Sequence, residues 1–389
     1  MHKLLVLDAN QRSALAIIRS LGRHGLSLIA GDHVGRTLGG ASRYASSSVL
    51  YPNPAEDPGA FVREVAAIVG RHGVDTIVPA TDLTTMLLAS QPDSAQPATL
   101  SCPRAEIYDA LTDKAALLRL ADELGVLAPE TRIARTAAEV EDAVRELGLP
   151  VVLKPARSRY LKRDRIISTS VEAVHLAHQF SETLRRLHWL GDIPCLVQRF
   201  VPGSGAGVFA LYGRSGPIAW FAHKRIREKP PTGGVSVLCE SVAIDPVMRS
   251  AATKLLSAVG WVGVAMVEFR VTDDGTPYLM EVNGRFWGSL QLAIDCGIDF
   301  PWLLYRALHG LPIEAPTGYA LGRRLRWLLG DLDSTLIELK RRDARGKAEA
   351  LGAFARSFVD FSCRQETFRL SDPGPAFQEA SQWVKALRR

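Results

Sequence analysis

The sequence predicts an α/β (α+β) chain of two or three domains that opens on a Rossmann-like parallel sheet. Three observations predict it. The chain has 389 residues, and domains run to about 100–200 residues each. In residues 1–100 short apolar runs alternate with helical stripes, the pattern of a parallel sheet. Farther on, Asp274-Gly275 separates two alternating strand-like runs, which marks an antiparallel hairpin.

Taken in order, Lys3–Asp8 is an apolar strand, and Ala14, Leu15, Ile17, Ile18 and Leu21 form the stripe of a helix. Leu26–Ala30 is a second strand. Phe61, Val62, Val65, Ile68 and Val69 mark another helix, and Val74–Pro79 another strand. The turn Asp8-Ala9-Asn10-Gln11-Arg12-Ser13 has no glycine, whereas a dinucleotide pyrophosphate needs a glycine-rich turn there. The domain is therefore not expected to bind NAD. Ligands of open sheets gather at the carboxyl ends of strands, so Thr81 and Asp82 are candidates for substrate contact. Asp82 as a helix cap is the plain alternative. Residues 112–124 read as a helix capped by Thr112 or Asp113 and stopped by Gly125. A helix at 137–147 and a strand at Val151–Lys154 follow. Then comes a basic stretch, Lys154, Arg157, Arg159, Lys162, Arg163 and Arg165. Strand Cys195–Val201 leads to a hairpin of Gly207–Tyr212 and Ile218–His223, turning at Arg214-Ser215-Gly216. After the Pro/Gly-rich loop Lys229–Gly234 come a strand at 235–243 and a helix with stripe Met248, Ala251, Ala252, Leu255 and Val259. Residues 317–389 read as helical and basic.

Composition excludes several classes. Apolar residues make up 47% and charged residues 23%, as in ordinary globular proteins. The net charge of +6 is uneven: residues 151–240 carry 14 basic and 6 acidic residues, net +8, whereas 241–316 carry 5 and 8, net −3. A nucleic-acid coat needs a basic face with aromatics interleaved, which is not visible, so a site for a small polyanion is expected. There is no apolar run of about 18 residues and hence no expected membrane span. Asp8, Asn10 and Gln11 interrupt the N-terminus, so secretion is not expected. Five scattered cysteines without a C-x-x-C fit reduced thiols in a cytoplasmic protein and no zinc site.

The chemistry concentrates in the hairpin of Val264–Val271 and Thr276–Val282. With a two-residue loop at Asp274-Gly275, Asp273 faces Thr276, Arg270 faces Leu279 and Glu268 faces Glu281. Opposed Cβ atoms lie about 4.5–5.5 Å apart, and like charges there destabilise. Two facing glutamates among Met266, Val267, Leu279 and Met280 therefore need a reason. Asn283, two residues past Glu281, shares their face. The set is one of hard oxygens, as Mg2+ uses beside nucleotide phosphates. A solvent-facing hairpin is the bland alternative. Arg285, in a turn made by Gly284 and Gly288, can neutralise an oxyanion.

Glu268 followed by Glu281-Val282-Asn283-Gly284-Arg285 resembles the metal and catalytic signature of the ATP-grasp superfamily, carboxylate–amine ligase type. The order of other features agrees. Lys114 starts a helix, and Lys154 ends a strand in Val-Val-Leu-Lys-Pro. Gln198-Arg199-Phe200-Val201-Pro202-Gly203 matches the adenine hinge, and Arg225–Ser236 holds the flexible phosphate loop. The resemblance implies a Rossmann-like pre-ATP-grasp domain at 1–110 and a two-lobed ATP-grasp domain at 111–316. Its lid is roughly 125–200 and its metal-binding lobe roughly 200–316, and a helical C-terminal extension follows at 317–389. It also implies a ligase that activates a small-molecule carboxylate with ATP and couples it to an amine, with no nucleic-acid or membrane partner. Glu268, Glu281 and Asn283 would hold two Mg2+ ions, and Mn2+ would suit the same ligands. Lys114 and Lys154 would meet the phosphates, and Gln198, Arg199, Phe200 and Val201 the adenine. Ser236 and Glu240 would stand near the nucleotide, with the ribose, a metal or the amine as alternatives for Glu240. Arg225 would bind phosphate or carboxylate, and Arg285 would steady the acylphosphate and the tetrahedral intermediate. His223 would join Thr81 and Asp82 toward the substrate.

Three departures stand out. Ala156-Arg157-Ser158-Arg159-Tyr160 replaces a glycine-rich turn, Gly203–Gly207 replaces a ribose-binding acid, and Arg199 stands where an acid is frequent. A carboxylase that phosphorylates bicarbonate, or a nucleotide-binding regulator without turnover, is the rival reading. The tail, with Arg323, Arg324, Arg326, Lys340, Arg341 and Arg342, reads as a solvated helical face, with a homodimer contact or substrate cap as the alternative.

Overall fold

Alternation of apolar runs in the first hundred residues builds a five-stranded sheet. The computed structural model describes residues 2–163, 165–231, 233–341, 344–360 and 362–387. In chain order the first elements are β1 (Lys3–Val6), α1 (Arg12–Arg23), β2 (Ser27–Asp32), β3 (Ala45–Leu50), α2 (Pro58–His72), β4 (Thr76–Val78), α3 (Asp82–Ala89) and β5 (Thr99–Leu100). The strands lie in the order β3-β2-β1-β4-β5, all parallel. Successive β1 residues point to opposite faces. Leu4 and Val6 pack with Ile17 and Leu21 of α1, and Leu5 and Leu7 with Phe61 and Val65 of α2. Both faces are thus covered, as a parallel sheet requires. Thr81, not Asp82, caps α3, its side chain accepting from the Thr84 N–H. That leaves the Asp82 carboxylate free for other partners.

The second sheet follows α4 (Ala105–Thr112) and α5 (Lys114–Glu123). Asp113 caps α5, accepting from the N–H groups of Ala115 and Ala116. Next are β6 (Thr131–Ala134), α6 (Ala137–Leu147), β7 (Val151–Pro155), β8 (Arg159–Lys162), β9 (Arg165–Ser168), β10 (Glu172–Val174), α7 (Phe180–Arg186) and β11 (Cys195–Arg199). An antiparallel sheet runs β10-β7-β11-β6, and β8 and β9 form a separate ribbon.

The third sheet is built from β12 (Ser204–Gly213), β13 (Gly216–Lys229), β14 (Val235–Ser241), α8 (Pro246–Ala258), β15 (Gly263–Val271), β16 (Pro277–Asn283), α9 (Leu290–Asp295), α10 (Phe300–Leu308), β17 (Arg324–Arg326), α11 (Leu328–Arg341), α12 (Ala344–Arg356), β18 (Cys363–Gln365) and α13 (Gly374–Leu387). Its order is β16-β15-β12-β13-β14-β17-β18. The segment after residue 316 is mostly helical, yet it adds two strands to this sheet. Its arginines depart from the expected solvated face. Arg326 is wholly buried, its Nε 2.6 Å from Asp331, its guanidinium 4.3 Å from the rings of Phe354 and Phe358. Arg324 pairs with Glu240 and Asp360, whereas Arg323 and Lys340 are exposed. An Arg-Leu-Arg alternation reads as exposed because nothing local reveals a buried acid five residues on. Arg342 and the Arg341 side chain lie outside the described residues, as does Thr232 of the Pro/Gly loop. Among the described residues no helix is long and apolar enough to cross a membrane.

Candidate active site

The β15–β16 hairpin brings Glu268 opposite Glu281, as expected, but by a different route. Thr272 N–H bonds the Thr276 carbonyl, so Asp273-Asp274-Gly275 forms a three-residue loop, with Gly275 at φ 87°. Asp273 therefore lies in the turn, and Arg270 faces Tyr278 in place of Leu279. A register shift between Glu268 and Phe269 then absorbs Met280 and restores the facing of Glu268 with Glu281 and of Met266 with Asn283. A β-bulge of this kind re-aims side chains beside functional sites. Asn283 Nδ2 donates to Glu268 Oε1 at 3.0 Å and to Glu281 Oε1 at 3.2 Å.

Each glutamate has its own cation. Arg225 on β13 reaches Glu268 Oε2 at 2.6 Å, and also Glu228 and the Gly234 carbonyl. Lys114, the first residue of α5, lies 3.2 Å from Glu281 Oε2. The Lys114 charge pulls the Glu281 carboxyl below its usual range. Burial raises that of Glu268, with the Glu281 charge adding and Arg225 opposing. Lys154 is the next-to-last residue of β7 and donates to Gln198 Oε1 at 2.6 Å. Burial lowers its pKa to about 8 against the pull of Glu281. Arg285 grips Asp82 at 3.0 and 3.2 Å and donates to the Phe286 carbonyl, and Tyr108 O–H also reaches Asp82. A Cβ on Gly284 would lie 2.7 Å from the rings of Trp261 and Tyr108, so only glycine lets the chain pass there.

A cleft of about 810 Å3 joins these residues, lined by Thr81, Asp82, Lys114, His223, Arg225, Ser236, Glu268, Glu281, Asn283 and Arg285. His223 is 1% exposed, with Nε2 2.8 Å from Ser289 Oγ. Burial drives its pKa down to about 3, with the Arg225 charge adding, so the ring is neutral. Ser236 Oγ is buried with no partner among the described residues.

Other expected residues stand elsewhere. Glu240 is tied on β14 to Lys224 at 3.0 Å and Arg324 at 2.6 Å, and does not line the cleft. The Gln198–Val201 segment does not line it either. β11 is flanked by β7 and β6, so its ladder already uses its backbone. The Arg199 and Phe200 N–H groups bond the Glu130 and Pro150 carbonyls, and the Arg199 side chain bonds Glu130. Lys154 is also outside the lining. Arg157 is held by Asp109 and Asp113, which anchors the turn between β7 and β8 to α4 and the start of α5. Sequence reasoning missed Arg12, Tyr108, Trp287 and Ser289, all of which line the cleft. Arg12 had one available signal, a cation just past a strand end, in a turn read only for its missing glycine.

Among the described residues no three His, Cys, Asp or Glu side chains converge as a metal group. The donor set here is two carboxylates and an amide. That is the sparse set Mg2+ accepts when phosphate and water oxygens complete its shell. Glu268 and Glu281 converge on one face of the hairpin and draw one cation each, so these residues fit the ion.

The comparisons agree with this geometry. Residues 194–329 match the family described as "ATP-grasp in the biosynthetic pathway with Ter operon". An uncharacterized protein, y4rH of Sinorhizobium fredii, is 31% identical over 207 residues, covering 50% of this chain and 41% of its own. A D-alanine–D-alanine ligase of Anaeromyxobacter dehalogenans is 29% identical over 218 residues, 52% of this chain and 68% of its own. The chain thus spans less than half the length of the first of these relatives. The biotin carboxylase of Campylobacter jejuni superposes with a TM-score of 0.66 at 15% identity, over 83% of this chain and 74% of its own, a likeness of fold. Hairpin, cation ring and sequence matches converge on a resemblance to the ATP-grasp superfamily, one of whose family models matches residues 194–329, and the sheet arrangement shares the fold of the solved structure.

Proposed function

We propose that this chain is an ATP-dependent carboxylate–amine ligase. It transfers the γ-phosphoryl group of ATP to a substrate carboxylate, releasing ADP. An amine then displaces phosphate from the acylphosphate to give an amide. The observation that carries this reading is the facing pair Glu268 and Glu281 with Asn283, ringed by Lys114, Arg225 and Arg285 in one cleft. Phosphoryl transfer needs mainly positioning and charge neutralisation, and this cluster offers both. Glu268, Glu281 and Asn283 would hold Mg2+, two ions on the present reading. When bound, Mg2+ supplies charge neutralisation at the phosphate oxygens. Lys114, Lys154 and Arg225 orient the triphosphate. Arg285, held by Asp82, places its positive charge in the cleft, where it would offset the oxyanion that develops at the acyl carbon. Resemblance to a D-alanine–D-alanine ligase supports the ligase choice. Likeness to a biotin carboxylase sets the rival, in which bicarbonate is the acid.

The test is an ADP-release screen of carboxylic acids against amines and amino acids, with mass spectrometry of the product. An amide that forms only when acid, amine and MgATP are all present supports the ligase. Phosphate release driven by bicarbonate alone replaces it with the carboxylase. Nucleotide binding with no turnover on any pair replaces it with a regulator.

A further inference from the structure

We propose that Arg12 is the specificity-determining anchor for a carboxylate on the amine substrate, so that this substrate is an α-amino acid. The inference rests on the ligase reading. Arg12 opens α1 at the carboxyl end of β1 and lines the cleft. It is a fixed group: its NH1 bonds Glu366 and its guanidinium lies 4.0 Å from the Trp327 ring. Both partners come from the C-terminal segment. Among the described residues the remaining guanidinium N–H groups of Arg12 have no hydrogen-bond partner, whereas Arg225, Arg285, Arg157 and Lys114 are all paired and Arg159, also in the lining, is exposed and held by no partner. A planar N–H edge of this kind matches a carboxylate. Glu366 already offsets part of the charge, which favours a monoanion over a phosphate dianion.

A second set of groups points to the same place. The side chain of Arg12 comes within 3.1 Å of where a Gly288 Cβ would stand, so that glycine leaves the space open. On either side of Gly288, Trp287 and Ser289 line the cleft, and Ser289 holds His223. His223 Nδ1 and Trp287 Nε1 are buried without partners among the described residues, each on a side chain 1% exposed. α1 has no side-chain cap, and Ser13 of its first turn also lines the cleft. In the tautomer that donates Nε2–H to Ser289 Oγ, the neutral His223 offers Nδ1 as an acceptor for an amine N–H. Gly288 lies three residues past Arg285, so their Cα atoms are at most about 11 Å apart. Arg285 and Arg12 line the same cleft, with Trp287 and Met266 as apolar lining.

The experiment is calorimetric titration of the full chain, saturated with MgADP, using matched probes. These are alanine, phenylalanine, aspartate and glutamate, with ethylamine and phenethylamine as the decarboxylated partners of the first two. At least one amino acid should bind, and a decarboxylated partner should bind about 30-fold more weakly or not at all, the scale of a charge-assisted pair. Arg12→Gln should weaken the amino acid about 30-fold and Arg12→Lys less. Unchanged MgADP affinity in both variants reports that the fold is intact. Equal binding of amine and amino acid, amino-acid binding by Arg12→Gln within threefold of wild type, or no amino-acid binding at all overturns the proposal. Failure of the wild-type chain to bind MgADP overturns the ligase reading itself.

Discussion

Lys154 carries a pH dependence that can be worked from its surroundings. It is the next-to-last residue of β7, and its Nζ meets an amide oxygen, Gln198 Oε1, and the Met280 sulfur at 3.8 Å, with no carboxylate in contact among the described residues. Burial dominates, Glu281 opposes it from farther off, and the pKa is pushed down to about 8. On the ligase reading only the protonated form pairs with the triphosphate. Because kcat/KM for ATP reports the free enzyme, it should fall above about pH 8, by roughly tenfold for each further unit. At saturating ATP the bound phosphates favour the charged lysine, so kcat should hold to higher pH. Lys154→Arg cannot titrate in this range and should lose the basic limb, at a lower plateau. Stability moves the other way. The folded value lies below the unfolded value of 10.5. Between about pH 8 and 10.5 the unfolded chain therefore binds more protons, and the contribution of this group to stability rises with pH. Loss of activity in that window would then not reflect unfolding caused by Lys154. Initial rates of ADP release from about pH 6.5 to about pH 9.5, with tryptophan fluorescence as a fold control, test the argument. A flat kcat/KM in the wild type, or the same limb in Lys154→Arg, refutes it.

Three further outcomes follow from the same contacts. Glu281→Gln, nearly isosteric, and Arg285→Ala should each cut ADP release at least about 100-fold while circular dichroism stays unchanged; release near the wild-type rate in either would discard their assigned roles. Arg326→Ala should lower unfolding free energy in urea by about 3 kcal/mol, the low end for a broken buried pair, because Arg227 still holds Asp331 at 2.6 and 2.7 Å; an unchanged midpoint would show that the buried pair contributes nothing. Gly284→Ala should displace Arg285, since its Cβ would meet the buried rings of Trp261 and Tyr108 at 2.7 Å. A loss of about 100-fold in turnover is the scale of a 1 Å misplacement, and undiminished rates would show that the loop has slack.

The hairpin shows how far local reasoning reached and why it stopped. The facing of Glu268 and Glu281 was read correctly from a two-residue loop that does not exist. The three-residue loop shifts every pair by one, and the bulge at Met280 shifts the upper pairs back. Alternation and turn residues were legible, but a bulge leaves no mark in composition. β1, α1, α2, α6 and the β12–β13 hairpin were legible because their apolar periodicity is strong. β3, with sequence Ala-Ser-Ser-Ser-Val-Leu, and the two-residue β5 were missed, since they are edge strands set by their neighbours. Glu240 was drawn toward the nucleotide by its place in a motif order, whereas cross-strand pairing with Lys224 and Arg324 decides where it sits. Arg12 was passed over because its partners, Glu366 and Trp327, lie more than 300 residues away in the chain, a distance no local pattern spans.

The uneven charge takes its meaning from these long-range pairs. The tail is tied to the rest of the chain by charge pairs in both directions. Arg324 serves Glu240, and Arg364 and Arg369 serve Asp295, while tail Asp331, Glu366 and Asp372 take Arg227, Arg12 and Arg19. The surplus in the middle segment works differently. Two glutamates facing across antiparallel strands repel each other, and like charges so placed destabilise a sheet. Neither is relieved by a shared cation. Glu281 takes Lys114 from α5 and Glu268 takes Arg225 from β13, so a helix and a strand of the hairpin's own sheet converge on one face of the hairpin. The asymmetry of the pair then follows: Lys114 keeps Glu281 firmly ionised, while burial makes Glu268 the costly charge. On the ligase reading, Lys114 and Arg225 turn to the triphosphate once the carboxylates take up Mg2+, so the same cations stabilise the chain in both states.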